Sequence, residues 1–110
     1  DVPGGWGGVL VTNASGVANT LTNVEIRHAG AYEVTESGYE GFYSLILTDD
    51  VRIGAIDGLL IEDGFGKPVY VGEDVTITSC TGVDLSDFST SWAVGPGADA
   101  FNSACGIALP

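Results

Sequence analysis

The 110-residue sequence predicts an all-β fold, and three observations support this prediction. Short runs of apolar residues alternate with polar ones at the period of two that is typical of strands. Glycine, asparagine, aspartate or serine follows most runs within a few residues, as turns require. No segment keeps apolar residues at helical spacing over three turns. The runs comprise residues 9–11, 24–26, 45–47, 51–53, 59–61, 69–71 and 75–77.

The composition indicates one folded domain spanning residues 1–110, because 45% of the residues are hydrophobic and 16% are charged. Fifteen acidic residues against three basic ones give a formal net charge of −12. Such a charge repels nucleic acid and anionic lipid, so we expect the ionic partners to be cations or basic protein surfaces. The sequence contains no run of about 18 apolar residues, so no membrane span is expected.

Two cysteines, Cys80 and Cys105, predict one disulfide. An even cysteine count in a lysine-poor chain favours export to an oxidising compartment, where disulfides persist. The alternative is a pair of buried free thiols in a cytosolic protein. Asn13 begins an Asn-Ala-Ser sequon and is the predicted glycosylation site. These features together predict an extracellular or cell-surface protein.

A loose repeat refines the expected architecture. Residues 24–30, 59–64 and 75–82 share one pattern, in which an apolar–x–apolar strand precedes a few polar or small residues and then a glycine. The inward apolar pair of each strand would stack on the pair in the next coil, and the glycine would permit the turn. The expectation is a short right-handed parallel β-solenoid with its coils over residues 4–82.

The same segments resemble the right-handed parallel β-helix family, which includes pectate-lyase-like proteins and many bacterial surface proteins. The resemblance rests on Trp-Gly-Gly at residues 6–8, followed by a strand, and on Leu-x-x-Val-x-Ile-x-x-Ala-Gly at residues 21–30. It covers residues 4–82 and implies a fold rather than an activity. An immunoglobulin-like β-sandwich, with Cys80 and Cys105 forming a bridge, remains as the alternative fold.

Two segments depart from the repeat. Residues 31–44 form an insertion in which Tyr32, Tyr39 and Tyr43 accompany several glutamates, and these rings are the candidate ligand site for a glycan. The alternative for this segment is a loop that folds back over an open flank of the core. Residues 83–110 mix aromatic with small residues and are expected to cap one end of the solenoid.

Catalysis is not expected from this sequence. A lyase of the pectate type needs a basic residue as Brønsted base and calcium held by carboxylates. The basic residues Arg27, Arg52 and Lys67 all lie outside acidic clusters. Calcium is the one cofactor considered, with Asp84 and Asp87 as candidate ligands on either side of a two-residue spacer.

The expected function is structural. The end strands of a solenoid carry unpaired edges, which natural proteins cap, charge or occupy with a neighbour. We therefore expect a self-stacking subunit of an extracellular filament, surface layer or adhesin stalk, which forms a homo-oligomer or filament by end-to-end contact. The alternative function is a carbohydrate-binding or carbohydrate-active module that uses the 31–44 loop.

Overall fold

The structure is a computed structural model and describes residues 5–12 and 18–109. Over these residues the chain forms eight β-strands and, after the last strand, one short α-helix. In chain order the elements are β1 (Val9–Val11), β2 (Asn19–Arg27), β3 (Tyr32–Val34), β4 (Gly41–Leu47), β5 (Arg52–Glu62), β6 (Lys67–Val71), β7 (Thr76–Asp84), β8 (Ala93–Val94) and α1 (Ala98–Ala104).

The strands are divided between two sheets. Sheet A has the order β1-β4-β6-β8 with all of these neighbours parallel, and β3 pairs antiparallel with β4. Sheet B has the order β2-β5-β7, and both of its pairs are parallel. Successive strands alternate between the sheets except for β3 and β4, which both belong to sheet A. The parallel register aligns equivalent residues, so that Val24 lies beside Leu59 and Leu59 beside Val83.

The main core lies between the two sheets. Along β5, for example, Ile56, Leu59 and Ile61 are buried while Asp57 is exposed, which is the alternation expected of a strand with one face on a core. Removal of this apolar surface from water is the main favourable contribution to folding. The buried members of the cluster are Ile26, Ala29, Leu45, Leu47, Val51, Ile53, Ile56, Leu59, Ile61, Val69, Val71, Val75, Leu85, Phe88, Ala93, Ala98 and Phe101.

A second apolar cluster lies on the outer face of sheet A. Leu45 and Leu47 point into the main core, so Ile46 between them points to the opposite face. There Ile46 packs with Tyr43 and Tyr70, and side chains from β3, the loop after it and β8 pack against this cluster. The insertion therefore forms an additional layer on sheet A.

The structure corrects the predicted fold. The expected all-β, right-handed parallel β-solenoid is wrong, because the chain forms two small parallel sheets and a helix in a compact body with principal extents of 34, 29 and 29 Å. The difference arises in two segments. Residues 98–104 adopt a helix, and β3 runs antiparallel to its neighbour. The resemblance to the pectate-lyase-like β-helix family is therefore wrong as well.

The alternative fold is also wrong. An immunoglobulin-like sandwich is built from antiparallel strands, whereas β3–β4 is the one antiparallel pair among residues 5–12 and 18–109. The disulfide between Cys80 and Cys105 joins β7 to the end of α1 and does not bridge the two sheets. The observed class is a mixture of parallel strands with a short helix.

Candidate functional site

One end of the two-sheet core is closed by α1, and we call it the sealed end. The helix buries Ala98, Phe101 and Asn102, which share one helix face at positions i, i+3 and i+4. The side chain of Asn102 accepts a hydrogen bond from the backbone N–H of Ala93 at 2.9 Å and donates one to its carbonyl at 3.0 Å. These bonds fix the helix to β8, the outer strand of sheet A, and so position Phe101 over the core.

The disulfide ties the same helix to sheet B. Cys80 lies on β7, the outer strand of sheet B, and Cys105 is the C-cap residue of α1. Their sulfur atoms are bonded, and the two Cα atoms are 4.8 Å apart. The predicted Cys80–Cys105 disulfide is therefore confirmed. Such a bond is typical of proteins that fold in an oxidising environment.

The described residues contain one helix, and it is short. The seven residues of α1 form the only helix there. No helix in this part of the chain has the length and apolarity needed to cross a bilayer.

The opposite end of the core is formed by β1 and β2, and we call it the open end. Within residues 5–12 and 18–109, β1 pairs only with β4, and β2 pairs only with β5. Each of these two strands therefore has one edge without a partner strand. Val9, Val11, Leu21 and Val24 pack on the main core yet stay partly exposed, and Leu10 is 46% exposed. In the described part of the chain, the open end therefore combines strand edges that lack a partner strand with apolar side chains.

Residues just before β1 cover the last part of the β2 edge. The indole N–H of Trp6 donates to the carbonyl of Arg27 at 2.5 Å, and the backbone N–H of Gly5 donates to the carbonyl of His28 at 2.9 Å. The carbonyl of Arg27 therefore points away from β5. Because backbone groups of successive strand residues alternate in direction, the N–H and carbonyl of Glu25 also point away from β5. These groups are oriented towards an incoming strand.

The insertion that contains β3 folds onto the outer face of sheet A. Tyr43 is fully buried, and its hydroxyl donates to the backbone carbonyl of Tyr39 at 2.8 Å. The hydroxyl of Tyr70 on β6 donates to the Glu36 carboxylate at 3.2 Å. Edge-to-face contacts with centroid separations of 5.5 and 6.2 Å join the Tyr70 ring to those of Tyr43 and Tyr39. Of the three predicted ligand tyrosines, Tyr43 is inaccessible, whereas Tyr32 and Tyr39 keep partial exposure.

The buried position of Tyr70 changes its acid–base behaviour. Burial, together with the neighbouring Glu36 carboxylate, raises the pKa of Tyr70 from 10.0 to about 12. The folded state therefore favours the protonated phenol. This contribution to stability is fully present below the ionisation range of an unfolded tyrosine and is lost as the pH rises through the pKa of about 12.

We expect Tyr70→Phe to reduce the late-ionising phenol signal in an ultraviolet absorbance titration of the folded protein. At neutral pH the substitution should lower the free energy of unfolding by about 1 kcal/mol, because it removes the hydrogen bond to Glu36. Tyr32→Phe is the matched control, since it removes a phenol but keeps the Tyr70–Glu36 bond. An unchanged late signal in Tyr70→Phe would contradict the assignment.

The predicted calcium ligands Asp84 and Asp87 each accept hydrogen bonds from the protein itself, and calcium binding by them stays a prediction. The Asp84 carboxylate accepts hydrogen bonds from the N–H and the hydroxyl of Ser86 at 3.0 and 2.6 Å, and these bonds lower the pKa of Asp84. Asp87 accepts one from the backbone N–H of Asp63 at 2.6 Å. Among the residues that the structure describes, no three His, Cys, Asp or Glu side chains form a metal-binding group. Asn13, the predicted glycosylation site, lies outside the described residues.

Sheet B contains a feature that was not predicted from the sequence, namely a column of residues with left-handed backbone. Asn23, Gly58 and Gly82 have φ angles of 51°, 89° and 69° and occupy matching positions in β2, β5 and β7. A signal for this column exists in the sequence as a five-residue repeat. Its copies are Thr-Asn-Val-Glu-Ile at residues 22–26, Asp-Gly-Leu-Leu-Ile at 57–61 and Thr-Gly-Val-Asp-Leu at 81–85.

A function therefore has to be inferred from three features, namely the two ends of the core, the tyrosine insertion and the column in sheet B. Comparison with known proteins gives no relative to set beside them: no protein-family model, no curated protein and no solved structure matches the chain.

Proposed function

We propose that the protein is an extracellular structural module that self-associates through its open end. The observation that carries this proposal is the difference between the two ends of the core. The sealed end is covered by α1 and fastened by the Cys80–Cys105 disulfide, whereas the open end presents the edges of β1 and β2. Unpaired strand edges beside partly exposed apolar side chains are a ready template for pairing with another chain. The proposed partner is a second copy of this chain.

The open end suits a two-fold dimer. Sheets A and B face each other across the main core, so β1 and β2 lie at the same end on opposite sides of it. A two-fold axis that passes through both sheets at this end would place β1 against β1 of the second copy and β2 against its β2. Both new pairs would be antiparallel, and one contact would continue both sheets.

A closed dimer is favoured over the filament that end-to-end stacking would give. A filament needs two different free ends on every copy. Here α1 packs against β6, β7 and β8, which leaves one end for association. The proposal therefore keeps the structural role and the homo-oligomer but limits the stack to two copies.

The proposal assigns no catalytic role. Arg27, one of the three basic residues that a lyase could use as a base, is engaged with Glu62 at 2.7 Å and with Glu25 at 3.3 Å. The alternative of glycan binding has less support than self-association, because Tyr43 is buried and the insertion packs its other tyrosines against sheet A. Glycan binding by the insertion stays a prediction.

Glu25→Pro tests the open end. Proline removes the outward-pointing N–H of Glu25, and its ring obstructs a strand that approaches the edge. We expect the dissociation constant of the dimer, measured by sedimentation equilibrium, to rise at least about tenfold. The circular dichroism spectrum of the monomer should be retained, because this N–H makes no bond to β5.

Glu25→Gln is the matched control for this experiment, since it removes the same charge but keeps the backbone N–H. It should associate as the wild-type protein does. Wild-type protein that sediments as a monomer at high concentration, or equal weakening by both substitutions, would overturn the proposal.

A further inference from the structure

A groove crosses the outer face of sheet B. It follows the column of Asn23, Gly58 and Gly82 and has a volume of about 230 Å³. A Cβ atom on Gly58 would lie 3.0 Å from the side-chain oxygen of Asn23, and one on Gly82 would lie 3.3 Å from the Cα of Gly58. Glycine therefore permits both the positive φ angles and the close approach of the strands. Because two of the three positions carry no side chain, the backbone forms much of the groove floor.

Side chains on either side of the column border this floor. On one side of the column, three side chains that are paired in register across the strands line the groove. On the other side, three more side chains in register form its rim. The apolar residues beside these two rows pack on the main core, so both rows point away from the core. The rows are three positions apart along each strand, which corresponds to about 10 Å at most. The lining row is Glu25, Leu60 and Asp84, and the rim row is Thr22, Asp57 and Thr81.

The groove is negatively charged. Glu25 and Asp84 line it and Asp57 stands on its rim, within a chain of net charge −12. Glu25 contacts Arg27 at 3.3 Å, but in the described part of the chain no basic side chain lies within ion-pair distance of Asp57 or Asp84. Hydrogen bonds from Ser86 lower the pKa of Asp84, so its carboxylate is ionised at neutral pH. Two carboxylates of the groove thus have unbalanced charge.

We propose that this groove binds an extended basic peptide segment of a partner protein. The glycine floor allows a peptide backbone to approach the sheet closely. Leu60 offers apolar surface to the methylene stem of a lysine or arginine, while Asp57 and Asp84 accept hydrogen bonds from its charged end. The groove lies on the face of sheet B and the open end lies at its edge, so this inference does not depend on self-association.

The probe for this proposal is a short oligolysine peptide, with its dissociation constant measured by isothermal titration calorimetry at physiological ionic strength. Wild-type protein should bind the peptide. Asp57→Asn combined with Asp84→Asn should weaken binding about tenfold, because two charge-assisted contacts are lost. Asparagine keeps a side-chain oxygen that can accept the hydrogen bonds from Ser86, so the turn after β7 is preserved.

Asp50→Asn combined with Asp74→Asn is the matched control. It removes the same number of charges from two turns where the φ angles are 65° and 58°, which asparagine tolerates. Asp50 lies about 20 Å along the chain from Asp57, beyond the screening length of about 8 Å at physiological salt. The control should therefore bind the peptide as the wild-type protein does.

Three outcomes would overturn the groove as a binding site. The first is wild-type protein that does not bind oligolysine. The second is that both pairs of substitutions weaken peptide binding equally, which would show that binding depends only on the net charge of the protein. The third is a map of peptide-induced NMR shifts that is centred away from the amides of Gly58 and Gly82.

Discussion

Replacing Phe101 with alanine should lower the free energy of unfolding by about 3–5 kcal/mol. The side chain is fully buried and is the only aromatic one that α1 contributes to the main core. Its removal leaves a cavity beneath a helix that the hydrogen bonds of Asn102 hold in place, so the surroundings cannot easily collapse into the space. For a domain with a total stability of about 5–15 kcal/mol, this loss is a large fraction.

Urea unfolding followed by circular dichroism measures the effect. Phe65→Ala is the matched control, because the same atoms are removed from a side chain that is 51% exposed. Phe65 has an edge-to-face contact with Phe42 at a centroid separation of 5.4 Å, so its loss should cost about 1 kcal/mol. Similar costs for the two substitutions would show that Phe101 is not enclosed as the structure places it.

The same Phe101 substitution should also alter association. A loosened α1 would uncover the outer edges of β7 and β8, and each copy would then have two free ends. Two free ends permit open-ended stacking, so species larger than a dimer should appear in sedimentation velocity runs. A Phe101→Ala protein that stays dimeric while destabilised would show that the helix contributes stability without limiting assembly.

The sequence predicted the positions of the strands better than their arrangement. Period-two alternation marks a strand wherever one face is buried, and the runs at residues 9–11, 24–26, 45–47 and 69–71 each lie within a single strand. The runs at 51–53 and 59–61 were separate in the pattern, but all of their residues except Val51 belong to one strand, β5. Short stretches of small residues interrupt the alternation there without ending the hydrogen-bonded pairing.

The predicted repeat failed at its third copy. Its pattern makes Val75 the counterpart of Val24, whereas the parallel register places Val83 beside Leu59 and hence in line with Val24. Both candidate segments read apolar–x–apolar, so alternation alone cannot choose between them. Asparagine or glycine directly precedes Val24, Leu59 and Val83, whereas aspartate precedes Val75. Because Asp74 shares the positive φ angle, the residue type and not the left-handed backbone separates the two segments.

The helix and the open end depend on contacts that local sequence does not reveal. The helix spans seven residues, about two turns, which is too short for a reliable helical period. The side-chain amide of the buried residue Asn102 forms its hydrogen bonds with the backbone of Ala93, which lies nine positions earlier and on a different element. Which strands lie at the ends of the sheets follows from the whole topology, and the candidate site at β1 and β2 follows from that order.

Removing the Cys80–Cys105 disulfide should lower the free energy of unfolding by about 3 kcal/mol, because the bond closes a loop across a sequence separation of 25. The variant Cys80→Ser with Cys105→Ser carries out the change. Its urea midpoint should match that of reduced wild-type protein, which serves as the control. A midpoint equal to that of the oxidised protein would contradict a stabilising tether.

Combining this variant with Phe101→Ala determines whether α1 unfolds alone or with the rest of the molecule. If unfolding is a single transition, Phe101→Ala should still cost a substantial part of its free energy in the disulfide-free protein, and the two losses together should approach the whole stability of a small domain. If α1 instead detaches once the disulfide is gone, Phe101 no longer contributes, and its substitution should cost much less in the disulfide-free protein. Amide hydrogen exchange would then be faster in α1 than in β5, the central strand of sheet B. The second result would show that the disulfide keeps the sealed end closed and thereby restricts assembly to two copies.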